Sequence, residues 1–306
     1  LADRGYKMVV KKIFKKKLKI IIFGGSGFIG SHVAEVLSKL GHDVTIADLK
    51  RLSTLPNKIK FVKADIKNEK KVLKIVKNKD VVYNFAAIAD IQESYNDPIK
   101  TFKINIMGSA HILKSCILAK VKKYILASSI YADSRQGGFY RVSKQASELM
   151  TVEYGKVHNL KYTILRYGSI YGPRSNLKNG LLKIIYDAVK KNKLIYRGTK
   201  KAVRSYIHVQ DAAKASADIL KDKFNQKVIL IKGKKSIKIK NLLLEVKKIT
   251  GLKSNLVFQN KTQKGHYDKK PKAYKKSKTY NYYRQVNLDF KKGLEELVKI
   301  VKSNKF

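Results

Sequence analysis

The sequence predicts an α/β fold, with a doubly wound, mostly parallel sheet followed by a smaller C-terminal α/β lobe. Three observations predict it. Apolar runs of strand length alternate with stretches of helical period. A glycine-rich turn stands between the first run and the first helix. Beyond about residue 170 the alternation becomes less regular.

The elements follow in order. Lys19 to Phe23 reads as the first strand, and Val33, Val36, Leu37 and Leu40 mark one face of the helix after it. Asp43 to Ala47 is a second strand and Lys60 to Val62 a short third. Val81 to Phe85, Lys123 to Ala127 and Tyr162 to Arg166 follow as strands, with helices over 99–119 and 140–157. In the second half, 178–192 reads as a helix, as does 211–221 with Asp211 as its N-cap. Val228 to Ile231 is a strand and Leu242 to Ile249 a helix. Leu294, Leu297, Val298 and Val301 form a last helical face. The expected division is a basic leader over 1–17, a dinucleotide-binding domain over 18–170, and a substrate lobe over 171–306 interlaced with it.

Composition narrows the function. Hydrophobic residues make up 44% of the 306, enough for a sizeable core. No run approaches the roughly 20 apolar residues of a membrane span. The one cysteine, Cys116, lies in an apolar helical stretch and reads as a small buried hydrophobe, consistent with a reducing cytoplasm. The six histidines show no metal-ligand spacing, so no metal site is expected.

The formal charge of +46 invites a nucleic-acid reading. However, 59 of the 68 basic residues are lysines, spread over nearly every surface stretch. Arginine is the better fork for phosphate and base edges. A general lysine bias explains the charge better than specific nucleic-acid binding. The basic run over 7–19 resembles a signal peptide only until its end, where a glycine turn follows in place of a cleavage site. Met8 is the expected natural start.

Gly24-Gly25-Ser26-Gly27-Phe28-Ile29-Gly30 joins the first strand to the first helix. Gly24 permits the tight turn, Gly27 lets backbone approach a pyrophosphate, and Gly30 allows close packing of helix on strand. The helix N-terminus then offers free N–H groups to phosphate. Asp48 stands 18 residues beyond Gly30, at the end of the second strand. A carboxylate there accepts hydrogen bonds from an adenosine ribose and repels a 2′-phosphate, which favours NAD over NADP. Lys50 and Arg51 keep NADP open, and the plain alternative for Asp48 is a turn residue.

Tyr140 and Lys144 lie four residues apart, on one face of a helix. A free phenol, with a pKa of about 10, is too weakly acidic to serve as a base at neutral pH. A neighbouring ammonium and a nicotinamide charge favour the phenolate. With 18 tyrosines in the chain the spacing alone means little. Its weight comes from its place just beyond the strand ending Ala127-Ser128-Ser129, where a hydroxyl can reach the reacting oxygen.

These motifs resemble the extended short-chain dehydrogenase/reductases, specifically the NAD-dependent epimerase/dehydratase family that includes UDP-glucose 4-epimerase. The resemblance spans about Lys19 to Ile300. It is carried by GGSGFIG at 24–30, Ala64-Asp65-Ile66, Asn84-Phe85-Ala86-Ala87, Ser128-Ser129, Tyr140 with Lys144, LRYGSIYGPR at 165–174, and RSYIHVQDAA at 204–213.

The resemblance implies a Rossmann-type domain that binds NAD through Gly24, Gly27, Phe28, Ile29, Gly30 and Asp48. It places Asp65 and Ile66 at the adenine, and Ala86 and Ala87 at the nicotinamide. Tyr140 becomes the acid/base, Lys144 its partner and a ribose ligand, and Ser129 the second hydroxyl, with Ser128 the alternative. Asn105 props the active-site helix. Ser169, Tyr171 and Arg204 are the implied substrate contacts, with Gly172 and Pro173 shaping the loop beneath the sugar. A homodimer through the 99–119 and 140–157 helices is also implied. Arg166 and His208 read as structural, and Asn84 and Asn105 as backbone ties.

The chain departs from the family at several points. Ser169 replaces a common asparagine, and Asp133-Ser134 a Tyr-Gly pair. Only 11 residues separate Ser129 from Tyr140, and the familiar arginine near 265–268 is missing. The implied reaction is epimerisation of a nucleotide sugar through a transient keto-sugar. Tyr140 takes the hydroxyl proton as hydride leaves for NAD, and hydride returns to the opposite face. Dehydratases carry Asp-Glu after the catalytic threonine, whereas Ile130-Tyr131 stand here, which disfavours dehydration. A dehydratase, a reductase, or a non-catalytic NAD-bound or RNA-binding regulator are the alternatives.

Overall fold

The structure is a computed structural model that describes residues 17–260, 265–267, 279–282, 288–304 and 306. All of the expected leader except Lys17 lies outside the described residues, as does most of the lysine-rich stretch at 261–278.

A parallel sheet of eight strands forms the centre, in the order β14-β11-β6-β5-β4-β1-β2-β3. Its strands are β1 (Lys19–Phe23), β2 (Asp43–Asp48), β3 (Lys60–Lys63), β4 (Val81–Asn84), β5 (Lys123–Ser129), β6 (Lys161–Tyr167), β11 (Lys227–Ile231) and β14 (Thr279–Asn281). Strands such as KIIIF and VVYN are buried on both faces, as a sheet covered by helices on each side requires. The order reverses between β1 and β4, and there the C-terminal strand ends open a crevice suited to a ligand. Two strands from beyond residue 171, β11 and β14, complete the sheet.

Two apolar clusters fill the faces of this sheet. One gathers Ile20, Ile22, Val33 and Leu37 with Ala212 and Ala213, and the other gathers Ile21, Phe23, Val72, Ile112, Leu113 and Cys116. Cys116 is fully buried, and desolvation raises its thiol pKa, leaving it a hydrophobe. A third cluster, with Leu182, Ile185, Leu242, Leu243, Leu294 and Leu297, is the core of the second lobe.

The helices are α1 (Phe28–Lys39), α2 (Glu69–Val76), α3 (Ile91–Asn96), α4 (Pro98–Phe102), α5 (Gly108–Leu118), α6 (Gly138–His158), α7 (Gly180–Lys191), α8 (Val209–Asp218), α9 (Ile239–Thr250) and α10 (Phe290–Lys302). Short strands in the second lobe are β7 (Ser169–Tyr171), β8 (Leu194–Tyr196), β9 (Val203–Arg204), β10 (Tyr206–His208), β12 (Ile237–Lys238) and β13 (Leu256–Phe258). No described helix is long and apolar enough to cross a membrane.

Two expectations need correction. The helix over 99–119 is not continuous, because a π-helical turn at Lys103–Met107 separates α4 from α5. Asn105 lies in this turn, where its side chain binds backbone of Ile88 and the hydroxyl of Ser143. Asp211 does not cap its helix. His208 is the N-cap of α8 and accepts from the Gln210 N–H, while the Asp211 carboxylate accepts from the Leu288 N–H at 2.7 Å.

Candidate active site

The glycine turn lies at the reversal of strand order. Gly24 has φ +71°, and a Cβ there would stand 2.5 Å from the Ala86 nitrogen, so the turns after β1 and β4 touch only because residue 24 lacks a side chain. Gly30 faces the same turn, and a Cβ on it would meet the Gly24 carbonyl at 2.4 Å. Gly27 is the N-cap of α1. It supplies no capping side chain, and no acid occupies the first turn, so the helix terminus presents its N–H groups uncapped by side chains.

A dinucleotide fits these residues. Ser26 Oγ is buried in the turn without a hydrogen-bond partner, a polar atom that a phosphate oxygen would satisfy. Asp48 ends β2, and its carboxylate receives the Ser26 N–H at 3.0 Å and the Leu49 N–H at 2.7 Å. It therefore closes the turn. Phe28 and Ile29 begin α1 half-buried against the core.

The other expected cofactor residues lie on neighbouring strand ends. Asp65 ties the Lys67 N–H and pairs with the Lys67 ammonium. Ile66 is buried against Gly108, and its carbonyl lies 3.0 Å from His111 Nδ1. Ala86 and Ala87 follow β4 half-buried, with the Ala86 N–H held by Asn84. Beyond this backbone tie, Asn84 donates to the side-chain hydroxyls of Ser109 and Tyr124.

One strand further on, Ser129, Tyr140 and Lys144 come together. The Ser129 hydroxyl accepts from the Tyr131 N–H at 3.2 Å and stands near enough to the Tyr140 phenol to pull its pKa down. Lys144 Nζ donates to the Ala127 carbonyl at 2.9 Å and lies 5.9 Å from the centre of the Tyr140 ring. Ser94 accepts from the Tyr140 N–H and so anchors the start of α6.

Electrostatics here differ from the expectation of a phenolate held by an ammonium. Burial raises the Tyr140 pKa to about 12, with Ser129 pulling the other way. Burial also lowers Lys144 to about 8, opposed by the Glu148 carboxylate. Desolvation thus favours the neutral form of both groups.

Glu148 is the member of the site that the sequence reading missed. It follows Tyr140 and Lys144 on the same helical face, a spacing visible in the sequence. Its carboxylate accepts from Ser128 at 2.5 Å and takes both ends of the Arg166 fork at 2.9 and 2.7 Å. Arg166 is therefore structural, as expected, and Ser128 faces away from the phenol. His208 is structural too, with Nε2 at 2.9 Å from Glu296, and burial lowers its pKa to about 4.

The second half of the site was less legible. Tyr131, two residues past Ser129, has its ring 6.5 Å from that of Tyr140, and its hydroxyl bonds His266 Nδ1 at 3.2 Å. Tyr267 packs 5.3 Å from Tyr131 and stacks on the Arg204 guanidinium at 4.2 Å. Arg204 also donates to the Tyr267 and Val203 carbonyls. Residues 265–267 thus strap Tyr131 to Arg204, a link across 135 residues with no local signal.

Ser169 lies half-buried in β7, paired with Tyr206. Tyr171 ends β7. It is buried among Tyr206, His208 and Phe290 in the second lobe. The loop after it grips α1. Pro173 bonds His32, and Arg174 pairs with Glu35.

A turn shaped for a dinucleotide beside a hydroxyl–phenol–ammonium trio puts the chain among dinucleotide-dependent enzymes of the parallel α/β class. Residues 20–231 match the model of the NAD dependent epimerase/dehydratase family, and the chain belongs to that family. With membership comes NAD as cofactor.

Named relatives agree on the class and differ in reaction. A UDP-N-acetyl-alpha-D-glucosaminuronate decarboxylase of Bacillus cytotoxicus is 28% identical, over 92% of this chain and 97% of that protein. A putative UDP-glucose 4-epimerase of Methanocaldococcus jannaschii is also 28% identical, over 93% and 99%. The solved structure of Thermotoga maritima UDP-glucose 4-epimerase with UDP-glucose superposes with a TM-score of 0.81 at 26% identity, covering 94% of this chain and 99% of that one.

Proposed function

We propose that this protein is an NAD-dependent epimerase of a nucleotide sugar, with Tyr140 as its acid/base. The carrying observation is the gathering of Ser129, Tyr140 and Lys144, with the ammonium anchored on the Ala127 carbonyl and 5.9 Å from the centre of the Tyr140 ring. Bound NAD supplies a hydride acceptor and donor at the sugar carbon. Tyr140 takes the proton of the sugar hydroxyl and returns it to the keto oxygen after the ring turns over. Ser129 orients the phenol and shares the hydroxyl's hydrogen bond. Lys144, held on the β5 backbone, brings a positive charge to the phenolate and reaches a ribose hydroxyl.

The glycine turn, with Gly24, Gly27, Phe28, Ile29 and Gly30, receives the pyrophosphate, and Asp48 receives the adenosine ribose. Asp65 and Ile66 border the adenine, while Ala86 and Ala87 border the nicotinamide. Arg204 and Ser169 are the proposed contacts to the substrate diphosphate. Tyr171 supports them from behind, through its ring contact with Tyr206.

The decarboxylase relative favours a second reading, loss of carbon dioxide from a nucleotide-linked uronate. One experiment separates the two. The NAD-loaded protein is incubated with UDP-glucose, UDP-N-acetylglucosamine and UDP-glucuronate, and products are followed by proton NMR. Epimers with no pentose product support the proposal, and a pentose product overturns it in favour of decarboxylation.

A further inference from the structure

We infer that Tyr131 and His266 form the wall that reads the sugar, and that this wall selects an uncharged hexose over a uronate. The inference rests on the reading of Tyr140 as the group that meets the sugar, and it names the substrate class of that same site.

The wall is placed by three contacts. The Tyr131 and Tyr140 rings meet edge to face at 6.5 Å, so what meets the Tyr140 phenol lies within reach of Tyr131. The Tyr131 hydroxyl is held by His266 at 3.2 Å, which orients it without a charge. Burial lowers the His266 pKa and Arg204 lowers it further, so the imidazole is neutral at physiological pH. A phenol paired with a neutral imidazole offers one donor and one acceptor, the complement of a sugar hydroxyl.

A carboxylate asks for something else. Proteins take carboxylates with a guanidinium fork or converging ammonium groups. The Arg204 guanidinium on this strap is stacked on Tyr267 and bonded to two backbone carbonyls. Asp90 lies close enough to raise the His266 pKa by its charge, and that same charge repels a uronate. The short connection from Ser129 to Tyr140 brings Tyr131 to this position, since Gly137 packs directly on the Tyr131 side chain.

The test is binding, so it does not depend on turnover. Tyr140→Phe protein loaded with NAD is titrated calorimetrically with UDP-glucose and UDP-glucuronate. The expected result is UDP-glucose bound at least tenfold more tightly. His266→Arg should reverse or erase that ratio, and Tyr131→Phe should weaken UDP-glucose about tenfold while leaving UDP unchanged. Equal or tighter binding of UDP-glucuronate, or a ratio indifferent to both substitutions, overturns the inference. A wild-type enzyme that shows this ratio but no epimer product would sink the proposed reaction and leave the sugar wall standing.

Discussion

Ser128 and Ser129 leave the end of β5 on opposite errands: Ser128 donates to Glu148 at 2.5 Å, and Ser129 accepts from the Tyr131 N–H at 3.2 Å beside the Tyr140 phenol. The resemblance favours Ser129 with Ser128 as the alternative, and the alternation of a strand separates the two hydroxyls. Ser129→Ala should therefore lower kcat by roughly ten- to a hundredfold, a part of the 10²–10⁴ typical of positioned acid/base groups. Ser128→Ala should leave kcat within a factor of about three. Steady-state kinetics on both variants checks this, and equal losses would contradict it.

Tyr140→Phe should abolish epimer formation, with a loss of at least about 10²-fold in kcat, while NAD still copurifies. Absorbance of cofactor released from the denatured variant checks retention. Normal turnover would remove Tyr140 from the mechanism.

The pH profile should carry the signature of Lys144. Its pKa is depressed to about 8 by burial, so its charge is present below that pH and lost above it. The charge assists deprotonation of Tyr140, whose own pKa is raised to about 12. As pH rises, the gain from Tyr140 ionisation is opposed by discharge of Lys144, and kcat/KM should level off or fall above about 8. In Lys144→Arg, whose charge persists, that alkaline decline should vanish even if overall activity is lower. A wild-type profile rising steadily to pH 10 would refute the role.

The buried pair of Glu148 and Arg166 carries a stability prediction. Both side chains are nearly inaccessible, at 10% and 7% exposure, and the fork is bidentate. Removing one partner leaves the other charge buried. Glu148→Ala should cost about 3–5 kcal/mol, read as a lower denaturation midpoint. The double variant Glu148→Leu/Arg166→Met should recover part of that loss, because both members of the bidentate pair are gone, although Asp133 and Lys144 each lose a charged neighbour.

What could be read from the sequence was what is local. The strand Lys19–Phe23, the glycine turn and the Tyr140–Lys144 face each declare themselves within a few residues. The π-turn around Asn105 has no such signal, because it is imposed by bonds to Ile88 and Ser143 from other elements. The cap of α8 was misassigned because Asp211 and His208 both precede an apolar run. Only folding reveals that the Asp211 carboxylate is taken by Leu288, 77 residues away. The strap of His266 and Tyr267 was noticed as a departure, yet its contact with Tyr131 arises purely from the tertiary fold.

The outer faces of α5 and α6 carry the last prediction. Leu118 is 60% exposed on α5, and Leu149 and Val157 are 68% and 71% exposed on α6. Val142 and Met107 add to the same apolar surface. Val142, Leu149 and Val157 are spaced seven and eight residues apart, which places them on one stripe of α6. A chain with 68 basic residues has no shortage of polar side chains for this surface, so its apolar character calls for a cover. We propose that a second copy of the chain supplies it, packing α5 and α6 against their symmetry mates. Light scattering should then give twice the chain mass. Leu149→Glu with Val157→Glu should give the single-chain mass, with NAD still bound. A wild-type monomer at micromolar concentration would rule the interface out. The interface would also stiffen the face of α6 opposite Tyr140, so the monomeric variant should lose thermal stability more than it loses affinity for NAD.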